Sequence, residues 1–151
     1  MNPHTVSLER FVEAQEPVFD QVLIELAQGR KQTHWMWFVF PQFKGLGRSS
    51  VAEHFGIVSV DEAFQYLEHP VLGPRLEQCV RLVLEVPPGK SAYDIFGSLD
   101  YLKFKSSLTL FKHVAGGADT VFAKALDRFF AGQPDTATMN MMPQMGGTTT
   151  W

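Results

Sequence analysis

Apolar positions recur at three- and four-residue intervals along nearly the whole chain, the spacing that puts them on one face of an α-helix. Leu8, Phe11 and Val12 follow Ser7, whose hydroxyl suits a helix N-cap. Glu16-Pro17 sets a proline where a helix can begin, and Val18, Phe19, Val22, Leu23 and Leu26 form one stripe that Gly29 stops. Ser49 or Ser50 caps a short helix through Val51 and Phe55, closed by Gly56. Ser59-Val60-Asp61-Glu62 reads as a capping box opening a helix over about 60–68, which His69-Pro70 ends. Gly73-Pro74 starts the next, carrying Leu76, Val80, Val83 and Leu84 to Pro87-Pro88. Ser91 with Asp94 opens a short turn ending at Gly97, and Ser98 and Asp100 open a longer helix to Gly116. Asp119 caps another, with Phe122, Ala125, Leu126 and Phe129 on its apolar face and Gly132 at its end.

The pattern therefore predicts an all-α fold: one compact multi-helical domain of about eight helices with short connections, spanning residues 1–138. Residues 139–151 carry four methionines, two glycines, three threonines and no charge, and are expected to form a loosely ordered tail.

One stretch departs from simple alternation. From Trp35 to Phe40 the only polar side-chain groups are two indole N–H groups. Pro41 ends the run, and a residue before proline avoids the α region, so 32–39 reads as a short buried helix, with a buried strand as the alternative.

Composition supports a packed core. A chain of 151 residues can bury roughly 70% of its unfolded surface. Thirteen phenylalanines and three tryptophans supply large buried units, each contributing roughly 2–3 kcal/mol. Cys79 is the single cysteine, so no intrachain disulfide forms, and within CVRLVL it reads as a small hydrophobe. The N-terminal residues lack the basic-then-apolar pattern of a secretory signal, and no run approaches eighteen apolar residues. The expectation is a cytoplasmic protein without a membrane span.

Charge changes the picture. The net charge of −3 argues against general nucleic-acid binding. Yet residues 26–52 hold Arg30, Lys31, Lys44 and Arg48 without an acid, and residues 101–118 hold Lys103, Lys105 and Lys112 without an acid. Everywhere else six basic residues face sixteen acids. If the two basic stretches meet, they make a local positive field suited to a small anion.

The segment GRKQTHWMWFVFPQFKGLGRSS, followed by DEAFQYLEHPVLGPRLEQC and then IFGSLDYLKFKSSLTLF, resembles the DUF1810 family, the Rv1873-like proteins. The resemblance covers roughly residues 5–138. It implies a mainly helical fold and does not point to any particular activity.

Three constellations could carry chemistry. In GLGRSS, glycines before a helix start allow close approach, the first turn offers free N–H groups, and Lys44, Arg48 and Ser49 add donors for an anion. The same residues also make an ordinary glycine turn with a serine cap. In SLDYLKFKSSLTLFKH, helical spacing aligns Asp100, Lys103 and Ser107 on one face, either as a solvated pair or as a polar binding surface. His34 and Gln42 bracket the aromatic run. His34 suits proton transfer, Gln42 a carbonyl or base edge, and Trp35 or Trp37 stacking on a planar ligand. Alternatively, both tryptophans are core and His34 bonds a nearby carbonyl.

No metal motif and no dinucleotide or Walker fingerprint is present, so no cofactor is expected. The functional expectation is an anion-binding pocket for a nucleotide or phosphorylated metabolite. If it is an enzyme, His34 or Asp100 is the acid or base, in hydrolysis or group transfer. The alternative is a helical protein–protein interaction module, including a homodimer.

Overall fold

The computed structural model describes residues 3–143. Among them are ten α-helices: α1 (Pro3–Gln15), α2 (Phe19–Ala27), α3 (Met36–Val39), α4 (Ser50–His54), α5 (Val60–Glu68), α6 (Leu72–Leu84), α7 (Ala92–Phe96), α8 (Tyr101–Ala115), α9 (Val121–Phe130) and α10 (Thr136–Met141). The fold is all-α. The sole pairing of β type among the described residues is an isolated parallel bridge between Phe43 and Ile57. No described helix is long and apolar enough to cross a membrane.

Local chemistry sets most helix starts. Ser49, Ser59, Ser91 and Thr120 each accept a hydrogen bond from the backbone N–H three residues on. Thr120, not Asp119, caps α9. Ser91 and Asp94 complete a reciprocal capping box. The Ser59 box is different: the Glu62 carboxylate passes the cap and takes the Val58 N–H at 2.9 Å. Gly116, in the left-handed region, ends α8. Residues 32–35, expected as the start of a helix over 32–39, are a loop, and α10 is an additional helix. It holds Met139 to Met141, and Met142 beyond it is buried, so the segment expected to be loose begins as ordered structure. Residues 144–151 lie outside the described residues.

Helix α8 is the axis of the domain, packed against α5, α7, α9 and α10. Its middle is buried on all sides, including Ser106, Ser107 and Thr109. Ser106 and Thr109 donate their hydroxyl protons to the carbonyls of Leu102 and Lys105, four residues back, which makes them tolerable in an apolar setting. Helices α2, α5 and α9 pack on α6, and α1 closes over α3 and α5. Arg10 of α1 ties that corner, donating to the carbonyls of His54 and Gly56 and pairing with buried Glu62. Phe40 and Phe104 meet edge to face at 5.1 Å, and Phe96 stacks on Phe104 at 4.4 Å, joining α3, α7 and α8 in one aromatic cluster.

Candidate functional site

The aromatic run divides between core and surface. Trp35, Met36, Val39 and Phe40 are buried, whereas Trp37 is half-buried and makes no hydrogen bond to a described residue. Trp35 is therefore not available for stacking. It is 1% exposed, and its Nε1–H donates to Glu25 at 2.9 Å.

Glu25 organises the loop that precedes α3. Its carboxylate accepts from the N–H groups of Gln32 and Thr33, the Thr33 hydroxyl, the Gln21 amide and the Trp35 indole. Burial alone would push its pKa up. The donors from Thr33, Gln32 and Gln21 outweigh that and hold it at about 2. The loop is pinned on its other side by Lys31, whose N–H donates to the Ile95 carbonyl at 2.7 Å.

Lys31 then turns towards the start of α8. Its Nζ lies 2.9 Å from Asp100 Oδ2, donates to the Thr33 carbonyl and sits over the Trp35 ring. Lys103 Nζ lies 3.2 Å from Asp100 Oδ1. Asp100 occupies the N-cap position of α8 but makes no side-chain cap bond, because both its oxygens are turned to lysines.

These residues border an open hollow of about 320 Å³. Lys31, His34, Ser98, Asp100 and Lys103 supply its polar lining. Met36, Trp37, Phe96 and Leu99 supply apolar walls. Gly97, with φ 85° and ψ 172°, makes the turn between α7 and α8 at its edge, in a region that only glycine enters readily. A much smaller recess, about the size of one water, adjoins it across Met36, Trp37 and Lys103 and is lined also by Gln42, Ala52 and Gly56. The two basic segments do converge, with Lys31 rather than Arg48 as the partner of Lys103.

His34, Trp37, Gln42, Asp100 and Lys103 thus come together, and the other expected site residues do not. Ser107 is 1% exposed inside α8 and borders neither hollow. Lys44 is exposed, 3.9 Å from Glu53. Arg48 and Ser49 are exposed and line neither hollow. Ser49 spends its hydroxyl on the Ala52 N–H, and α4 is a five-residue helix. The glycine of that loop serves the chain itself: a Cβ at Gly47 would lie 2.6 Å from the Ala52 Cβ. GLGRSS forms a packed turn and cap, and its residues line neither hollow. Asp100, expected as an acid or base, has both oxygens committed to ammonium groups and holds them in place.

Glu25 and Phe96 were not singled out from the sequence. Glu25 left one signal: it lies between Val22 and Leu26 on the buried stripe of α2, where an acid requires several donors.

A sequence model described as "Protein of unknown function (DUF1810)" matches residues 5–142. Among curated proteins, none matches. The crystal structure of the conserved hypothetical protein Rv1873 from Mycobacterium tuberculosis, at 1.38 Å, is 47% identical in sequence and superposes with a TM-score of 0.86. The match covers 89% of this chain and 95% of that one. With the family pattern spanning all ten helices and a relative of the same fold at this identity, the chain belongs to the DUF1810 family.

Proposed function

We propose that the chain is a cytoplasmic protein that binds a small anionic ligand in the hollow between α3 and the α7–α8 turn. The observation that carries this is Lys103. Its ammonium uses one donor on Asp100, is 30% exposed, and borders both the hollow and the recess beside Trp37. Lys31, 7% exposed and held by Asp100, Thr33 and the Trp35 ring, lines the hollow and adds field, with its donors already engaged. His34 is exposed at the lip, with no hydrogen bond among the described residues, and is the one side chain there placed to exchange a proton with a bound group. Hydrolysis or group transfer would run through it. The overall charge of −3 keeps the field local and disfavours general nucleic-acid binding.

A thermal-shift panel of sugar phosphates, nucleotides and inorganic phosphate tests this. A ligand at a hundred times its Kd adds about 2.7 kcal/mol of stability. The shift should vanish in Lys103→Met and persist in Arg48→Ala.

A second reading rests on a different feature. Leu99 is 82% exposed, Tyr93 55% and Leu102 50%, all around the α7–α8 turn. This edge suits a protein partner or a second copy of the chain. Sedimentation showing a concentration-dependent dimer, with no shift across the panel, would favour it.

A further inference from the structure

The composition of the hollow narrows the ligand beyond a small anion. Its polar end holds Lys31, Lys103 and Asp100, which together leave one net positive charge. Only Lys103 has spare donors directed to the opening, because Lys31 is enclosed by Asp100, the Thr33 carbonyl and the Trp35 ring. A site with one such cation matches a single phosphate. A diphosphate or triphosphate would bring further negative charge with no second cation to meet it.

The rest of the wall is apolar and partly aromatic. Trp37 and Phe96 border it, Met36 offers a thioether, and Leu99 stands almost wholly in water at the mouth. A sugar phosphate would leave these surfaces wet. A flat ring would cover them and stack on the indole. The volume of about 320 Å³ is at the small end of ligand pockets, enough for one nucleotide unit and too little for a dinucleotide.

We infer that the hollow takes a nucleoside monophosphate. Its phosphate lies on Lys103 and its base lies against Trp37. This rests on the anion-binding reading above and specifies its substrate class.

The test is calorimetric titration of the full chain with the four nucleoside monophosphates, the matching triphosphates, ribose 5-phosphate and inorganic phosphate. The inference expects at least one monophosphate to bind tenfold or more tighter than ribose 5-phosphate, and no weaker than its triphosphate. Trp37→Leu should remove that tenfold advantage and leave ribose 5-phosphate affinity unchanged, while Trp37→Phe keeps most of it and guards against a folding defect. In a nitrogen–proton spectrum, the ligand should move the Trp37 indole signal and leave that of Trp35 in place. Equal affinity for ribose 5-phosphate and every nucleotide overturns the base contact and leaves anion binding standing. A triphosphate tenfold tighter than the monophosphate overturns the single-phosphate assignment. Silence across the whole series, phosphate included, overturns the anion reading itself.

Discussion

The indole N–H of Trp35 and the carboxylate of Glu25 meet at 2.9 Å with both side chains shut away from solvent. Ten positions separate them in the chain. That contact, with the other donors on Glu25, bends residues 30–35 into a fixed loop and so presents His34 and Lys31 to the hollow. An ionised buried carboxylate with this many donors is strongly coupled to folding.

Glu25→Gln should destabilise the protein at pH 7 by about 2–4 kcal/mol, because an amide N–H₂ would face groups that are themselves donors. The folded pKa of Glu25, about 2, lies below its ordinary value of 4.5. Its contribution is therefore full above about pH 4.5 and is lost as pH falls towards 2. Urea titrations of wild type and variant should show a gap that narrows steadily between pH 5 and pH 2. A gap independent of pH would mean that the carboxylate is not held ionised.

Asp100 restrains two ammonium groups, one of them 7% exposed. Asp100→Asn should lower stability by about 1–3 kcal/mol. It should also raise phosphate affinity, by about three- to tenfold, since the hollow gains a unit of positive charge. Weaker binding in this variant would show that the carboxylate acts on the ligand directly.

Ser49→Ala should cost about 1 kcal/mol as the loss of a helix cap, and leave ligand affinity unchanged, as should Arg48→Ala. A tenfold loss of affinity in either would restore GLGRSS as the anion site.

Burial pushes the Cys79 thiol up to about 12, against a smaller opposing pull from Arg75. Native protein at pH 8 should resist a thiol reagent and react in urea, with native labelling no faster than unfolding. Rapid labelling of the native state would contradict the buried position of Cys79 on α6.

The close approach of α5 and α6 at Gly73 predicts a large local effect. A Cβ at Gly73 would lie 2.0 Å from the Leu67 carbonyl oxygen, while one at Gly89 meets nothing within 4 Å. Gly73→Ala should cost about 3 kcal/mol or more and Gly89→Ala within about 0.5 kcal/mol, read from denaturation midpoints. Equal midpoints would mean that α5 and α6 do not approach this closely.

Much of the fold was legible residue by residue. Ser59, Ser91 and Gly116 marked helix ends, because capping is chemistry within one turn of chain. Where reading failed, a distant partner had intervened. Residues 32–35 carry helix-compatible side chains, yet Glu25 takes the N–H groups of Gln32 and Thr33. Asp100 looked like a cap or a base, and two lysines claimed it. The hydroxyls of Ser106 and Thr109 turn back on their own helix.

The sequence by itself determined an all-helical chain and the concentration of aromatic and basic residues in two acid-free stretches, because periodicity and composition are local properties. The tertiary structure decided which of those residues share a surface. Lys103 is joined by Lys31, not Arg48, and Trp37 faces the opening while Trp35 is sealed beneath it. Such pairings span some seventy residues and depend on how α2, α3, α7 and α8 pack, and helical spacing carries no information about that.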